Sequence, residues 1–263
     1  MIVKTQAVIL REIKYLDQSK ICAIYTRDFG KISVIINGAR SQKNKLSGLF
    51  NTGNVIDLIL YKKNNSNIQF VSDGNLILSP MVPSPDIERL AILYRIIDTV
   101  RCSTENEEKN LRLFTLLVST LQQLYRNAIN SQQLYAWFLL RLVSIMGFQL
   151  SLRNCVLSGK ELLPAVKAMN LSELYFIMKL GGFALPVMIS GDPSKKQLIP
   201  VSLALQMSIF ASTQYPNGNF FDSNSEDIDI LCNLLQEYCS FHLHLDHTRS
   251  RKNLAIISQI LLK

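Results

Sequence analysis

Five short runs rich in β-branched and aromatic residues fill the first eighty positions, and they limit what this chain can build. They read "TQAVILREI" (5–13), "KICAIYTRD" (20–28), "GKISVIING" (30–38), "NVIDLILYK" (54–62) and "IQFVSDGNLIL" (68–78). Such runs favour extended backbone, because branched side chains fit a pleated surface better than a helix. Asp28-Phe29-Gly30 is a turn signal that joins the second and third runs as a hairpin. Asn- and Ser-rich stretches such as "KKNNSN" separate the later ones. Five strands in so short a length suit a small closed barrel. The OB-fold is one such barrel, and it binds single-stranded nucleic acid repeatedly.

"SPMVPSPD" (79–86) ends this pattern with three prolines in eight residues. Ser84-Pro85-Asp86 is expected to open a helix, with Ser84 as cap and the proline following. Ile87, Leu90, Ala91, Tyr94, Ile97 and Asp98 then follow a 3.6-residue spacing. Further helices are expected over 111–125, 134–146 (with Gly147 as C-cap), 200–212, 226–245 and 253–262. Residues 148–194 read as irregular. The expected class is α+β: an N-terminal five-stranded OB-fold barrel over 1–80, then a mainly α-helical domain over 81–263. At 48% hydrophobic, the chain can bury a sizeable core. No apolar run is long enough to span a bilayer, and the N-terminus does not read as a signal peptide, so no membrane role is expected and a cytoplasmic protein is. The five cysteines are scattered and form no C-x-x-C pair, which points to buried thiols rather than a disulfide framework.

All three histidines lie in "HLHLDH" (242–247), which fits the H-x-H-x-D-H pattern of metallo-β-lactamases. That site needs five or more histidine positions and sits early in its domain. Here three histidines exist in all and sixteen residues follow the motif. Helical geometry also separates the candidates. The apolar stripe of this helix is Leu231, Leu234, Leu235, Tyr238, Phe241 and Leu245. His242 lies on or beside it, flanked by Cys239, whereas His244 and His247 project to the other side. Ligands split across two faces do not converge on one tetrahedral ion. The expectation is a partly buried His242 and no metal.

The net charge is +8 with a pI near 9.3, a balance that suits a polyanionic partner. The charge is dense in "NGARSQKNKLSGLF" (37–50). There Arg40, Lys43 and Lys45 are spaced by Asn and Ser with no acid. Cations of this kind neutralise phosphates, while Ser41, Asn44 and Ser47 add hydrogen bonds. Gly38 and Gly48 permit tight bends. From Arg11 to Lys45 there are eight basic residues against three acids. Tyr15, Tyr25, Phe29 and Phe50 are candidate stacking faces or core residues. A solvated basic surface is the plain alternative.

These residues together resemble a known family. "KTQAVIL", Tyr15, "YTRDFGKISVIINGAR" and "SQKNKLSGLF" look like the N-terminal region of RecO, the bacterial recombination-mediator and strand-annealing protein. "FLLRLVSIMGFQLSLRNC" resembles the family's middle helix with its Gly-aromatic end and following Cys. "TRSRKNLAII" resembles its C-terminal segment. Many members carry a four-Cys zinc module after that middle helix. Here Ser158 follows Cys155 at the position of the second Cys, and Phe183 in "GGFALP" stands where a later Cys is expected. The resemblance is therefore to a zinc-less branch, with residues 148–194 as a degenerate zinc-finger-like insertion and no metal or other cofactor.

The resemblance implies binding rather than bond chemistry. It implies contact with single- and double-stranded DNA and annealing of complementary strands. It also implies cooperation with RecR, and with RecF, in loading RecA onto DNA covered by single-stranded-DNA-binding protein. A nucleoid-associated bacterial protein follows. The expected phosphate contacts are Arg40, Lys43 and Lys45, then Lys14, Arg27, Lys31 and Lys62, with Arg249, Arg251 and Lys252 as a second cluster. The helical domain is expected to receive the acidic, apolar C-terminal tail of single-stranded-DNA-binding protein, with Arg141 and Arg153 as available cations. No Walker A, Rossmann or G-x-S-x-G motif argues for an enzyme. The alternative is an OB-fold scaffold that binds proteins only.

Overall fold

The computed structural model describes residues 1–41, 44–63, 66–80, 86–126, 129–188, 196–213, 226–243 and 245. They fall into two compact units, Met1–Asn127 and Ala128–Leu245.

In the first unit the five expected strands form. They are β1 (Ile2–Tyr15), β2 (Ser19–Thr26), β3 (Gly30–Ile36), β4 (Val55–Tyr61) and β5 (Ile68–Leu78). They close in the order β1-β2-β3-β5-β4. All pairs are antiparallel except β3 with β5, giving an OB-like barrel. Strand β1 serves two partners, β4 along its first half and β2 along its second. A register shift between Ile9 and Arg11 bends it from one to the other. The core uses one phase of each strand: Ala7 and Ile9, Cys22 and Ile24, Ile32, Val34 and Ile36, and Ile56, Leu58 and Leu60. Ala39, Leu46 and Phe50, from the loop between β3 and β4, join the same cluster.

Two helices belong to this unit, α1 (Ile87–Ser103) and α2 (Leu111–Arg126). The cap of α1 is Asp86, whose carboxylate accepts from the N–H groups of Glu88 and Arg89. This corrects the expectation of Ser84, which lies with Pro85 outside the described residues. A carboxylate at that place also meets the positive end of the helix dipole. The buried face of α1 is Ile92, Leu93, Ile96, Ile97 and Val100. Of the expected stripe only Ile97 is buried, and Ile87 and Tyr94 are exposed. The contiguous aliphatic residues chose the face, and the polar-tipped tyrosine was left in water. The α2 residue Tyr125 donates its hydroxyl to the Gly53 carbonyl at 2.8 Å. Burial raises that hydroxyl's pKa well above the usual tyrosine value.

The second unit is built round α3 (Ser131–Ile145), which is apolar on nearly every side and correspondingly buried. Asn130 caps it by accepting from the N–H groups of Gln132 and Gln133. Its far end is a Schellman turn. Gly147, at φ +89°, donates to Ser144 O, and Phe148 donates to Val143 O. Against the sequence expectation for 148–194, its described part, 148–188, is not irregular. It holds α4 (Leu162–Met169), β6 (Glu173–Ile177), β7 (Gly182–Ala184) and a 3-10 turn at Pro186–Met188. With β8 (Lys196–Pro200) the strands make a sheet in the order β7-β6-β8. Strands of three to five residues carry too few alternations to register as a period.

Helices α5 (Val201–Ser212) and α6 (Glu226–His242) complete the unit. The buried stripe of α6 includes Leu231, Leu234, Leu235 and Tyr238 as expected, but Phe241 is exposed. The expected helix at 253–262 lies outside the described residues. Among the described residues no helix is long and apolar enough to cross a membrane.

Candidate nucleic-acid interface

The loop after β3 folds back as a run of tight turns. Ser41 donates to Gly38 O, Asn44 to Ser41 O and Ser47 to Asn44 O, through their backbone N–H groups. The Asn44 side chain bridges the loop, donating to Asn37 O and accepting from Leu46 N. Buried Asn54 donates to Gly48 O and Leu49 O from below. With Leu46 and Phe50 anchored in the barrel core, the polar side chains of the loop are left outside.

Arg40 and Lys45 are exposed on this loop, and Lys14 is exposed on the neighbouring end of β1. Arg40 is tied to the β1–β2 turn: its backbone N–H donates to Gln18 O, and its guanidinium donates to Asp17 O at 2.9 Å. Lys45 pairs with Asp73 of β5 at 2.8 Å. The Lys45 hydrogen bond, helped by the Gly74 N–H, holds the Asp73 carboxyl below the usual carboxylate range. Lys43 lies outside the described residues.

The other predicted cations of the barrel stand at its opposite end. Arg27 follows β2 in the β2–β3 turn and is exposed. Lys31 donates to the carbonyls of Arg101 (2.9 Å) and Thr104, so it closes the C-terminal end of α1. Burial lowers its pKa. Lys62 is largely buried, pairs with Glu107 at 3.5 Å and lies over the Phe29 ring at 5.4 Å. Acids gather at this end: Asp28 accepts from Thr5 at 2.7 Å and lies 3.8 Å from Lys109. The sequence-predicted cations are thus divided, with Arg40, Lys45 and Lys14 at one end and Arg27, Lys31 and Lys62 at the other.

Of the four aromatic candidates, Tyr25 and Phe50 are fully buried and Phe29 is partly buried. Tyr15, beside Lys14, is exposed. Arg249, Arg251 and Lys252 lie outside the described residues. Arg141 lies against the Trp137 ring and donates to the Thr213 carbonyl at the end of α5, whereas Arg153 is exposed.

His242 is half-buried against the rings of Phe148, Tyr238 and Phe241, with Nε2 2.8 Å from the Met178 carbonyl. Cys239 is enclosed, and burial pushes its thiol up to about 12. A thiol so disfavoured from ionising is a poor metal ligand. His244 and His247 lie outside the described residues.

A zinc ion does not fit the insertion. Burial alone would raise the Cys155 pKa. The Ser158 hydroxyl and the N–H groups of Leu185, Leu157 and Ser158 outweigh that and hold it below the usual value. A lowered pKa favours the thiolate, so what the insertion lacks is further ligands: among the described residues no three His, Cys, Asp or Glu side chains come together to hold a metal. Phe183 packs edge-on to Phe176 at 5.4 Å and is fully buried. An aromatic core occupies the side where more thiolates would be needed.

Comparison with known proteins bears on the whole chain. Residues 1–80 match the family model described as "Recombination protein O N terminal", and residues 84–252 match "Recombination protein O C terminal". The chain belongs to the RecO family. The DNA repair protein RecO of Pelodictyon phaeoclathratiforme is 65% identical over the full length of both chains. That of Chlorobium phaeobacteroides (strain DSM 266) is 49% identical, covering 99% of each. That of Chloroherpeton thalassium is 32% identical, covering 96% of this chain and 97% of its own. The OB-like barrel is therefore the N-terminal part of a RecO family DNA repair protein, and the basic loop is a segment of that barrel.

Sequence reasoning missed how the barrel cations are used. The acids that engage Lys45 and Lys62 are distant from them in sequence: Asp73 lies on β5, and Glu107 in the segment between α1 and α2, so only the folded unit brings each pair together. The signal available was "GNLIL" preceded by Asp73, a lone acid in a strand, and it named no partner.

Proposed function

We propose that this RecO family protein binds single- and double-stranded DNA, anneals complementary strands, and with RecR and RecF helps load RecA onto DNA covered by single-stranded-DNA-binding protein. The observation that carries the reading is the barrel end where Arg40 and Lys45 are exposed on a loop anchored from beneath, beside Lys14 at the end of β1. Anchoring at Ala39, Leu46 and Phe50 holds Arg40 and Lys45 in place before the ligand arrives, which reduces the entropy lost on binding. Phosphate neutralisation there releases counterions, so affinity falls steeply with salt. With their charge screened, two strands held close can pair.

Arg40, Lys43, Lys45 and Lys14 are the proposed main contacts, with Arg27 and the Arg249, Arg251 and Lys252 cluster as further ones. Lys31 and Lys62 are better used in holding α1 and the 105–109 segment to the barrel. The activity is binding, without a catalytic residue. The helical unit would receive the tail of single-stranded-DNA-binding protein.

The test is strand annealing by the full chain, with and without the triple change Arg40→Glu, Lys43→Glu and Lys45→Glu, together with oligonucleotide affinity at several salt concentrations. Loss of annealing, with a shallower slope of log affinity against log salt, is the expected result. Unchanged annealing and slope would favour a scaffold that binds proteins only.

A further inference from the structure

The barrel strands carry apolar residues in both phases, and only one phase fills the core. The other can be followed through the strand pairing. Ile13 lies opposite Ile21, Ile21 opposite Ile35, Ile35 opposite Phe70, Phe70 opposite Tyr61, and Tyr61 opposite Ile2. Directly opposed residues share a face, so these six lie on one outward row. Their strand neighbours Cys22, Val34, Leu60 and Val71 belong to or pack against the core, which fixes the row as outward. The row leaves β1 at Ile13 and returns to it at Ile2, a slanted band across all five strands. Ile13 is 50% exposed, Phe70 42%, Tyr61 44% and Ile2 63%. Ile21 and Ile35 between them are half-buried. A contiguous apolar band of this kind on an exposed barrel wall marks an interaction surface.

Its flanks are basic. The next outward row on one side sets Arg11 opposite Ala23, Ala23 opposite Ser33, and Ser33 opposite Ile68. That row contains no carboxylate. Lys63 follows Tyr61 by two residues and holds its ammonium 5.9 Å from the Phe70 ring centroid. Lys4 flanks Ile2 on the other side. Arg11, Lys63 and Lys4 are all exposed. The nearby carboxylate of Asp73 is already paired with Lys45.

We propose that this band docks a partner protein through a segment that sets apolar side chains between carboxylates. Four of the six band residues are isoleucines, which present no flat face for a nucleic-acid base. The Phe70 ring already faces an ammonium. Pairing with a second copy would set Arg11, Lys63 and Lys4 against like charges. An acidic, apolar segment satisfies both the band and its flanks. The band borders the basic loop, whose Lys45 reaches Asp73 beside it, but none of its six residues is among the proposed phosphate contacts, so it does not depend on the DNA-binding reading.

The probe is a short fluorescent peptide alternating leucine with aspartate, titrated against the full chain by anisotropy. Its controls are the same peptide with lysine for aspartate, and a labelled oligothymidylate. The aspartate peptide should bind and weaken with salt, and the lysine peptide should not bind. Phe70→Ser with Tyr61→Ser should weaken binding about tenfold, and Lys63→Glu alone should weaken it too. Both changes are on exposed side chains, and a thermal melt of each variant checks that it folds. Annealing of complementary strands by these variants should match the parent. Equal binding of the lysine peptide, or parental binding by both variants, would overturn the proposal. So would displacement of the peptide by oligothymidylate, or a concentration-dependent dimer that the variants abolish. None of these outcomes is shared with the Arg40, Lys43 and Lys45 test, so the two readings fail separately.

Discussion

Lys45 and Arg40 lie on one loop, yet the barrel commits them differently. Arg40 is oriented by backbone carbonyls that carry no net charge, so its cation stays available. Lys45 is held by Asp73, and a bound phosphate must compete with that carboxylate. Asp73→Asn should therefore raise single-stranded DNA affinity severalfold at low salt, measured by oligonucleotide titration. The pair has its own pH window. The Asp73 pKa is lowered by the folded structure, so the pair's contribution is fully present above the ordinary carboxylate pKa. It is lost as pH falls through the lowered value. The gain from Asp73→Asn should accordingly shrink in acid, where the wild-type carboxylate is itself neutral. Lys31 gives the opposite residue-scale case. Lys31→Met removes the donor to two carbonyls at the end of α1. It should cost about 1–3 kcal/mol in a denaturant melt and leave DNA affinity nearly unchanged. A large loss of affinity with intact stability would return Lys31 to the DNA contacts.

At the scale of elements, the strands were legible because each carries branched residues between clear turn signals. The five expected runs coincide with β1 to β5. The insertion was not, since β6 and β7 form a hairpin of only five and three residues and β8 adds five more, too few alternations to register as strands. Cys155 was legible as a lone thiol, but the N–H groups round its sulfur come from the fold. With no cluster of three candidate ligands among the described residues and Phe183 packed in the core, the melting temperature should shift by less than about 1 °C when a strong chelator is added. Scanning fluorimetry reads this directly, and a large fall would require a metal site. The junction of loop and helix is a stricter point. Gly53 has φ +89°, and a Cβ there would stand 2.9 Å from the Tyr125 hydroxyl oxygen and 3.0 Å from Leu93. Gly53→Ala combines backbone strain with that crowding. It should destabilise by roughly 2–4 kcal/mol, more than Tyr125→Phe, which removes only one hydrogen bond worth about 1 kcal/mol.

For the whole molecule, what sequence could not supply was the separation of charge. Lys14, Arg27, Lys31, Arg40 and Lys45 look like one basic stretch when written in a line. Antiparallel pairing sends alternate turns to alternate ends, so the β1–β2 turn and the loop after β3 share one end while Arg27 goes to the other. Acids then offset the second group: Glu107 meets Lys62, and Asp28 lies beside Lys109. Net charge alone therefore overstates how much of the barrel attracts a polyanion, and counterion release can measure the difference. Removing one cation that neutralises a phosphate should reduce the slope of log affinity against log salt by about 0.7 for a single strand. Arg40→Ala and Lys14→Ala should each lower it by that amount. Arg27→Ala, at the opposite end, should lower it by less, as a further contact rather than a main one. An equal fall in slope for Arg27→Ala would instead require the strand to run the length of the barrel, from the loop end to the β2–β3 turn.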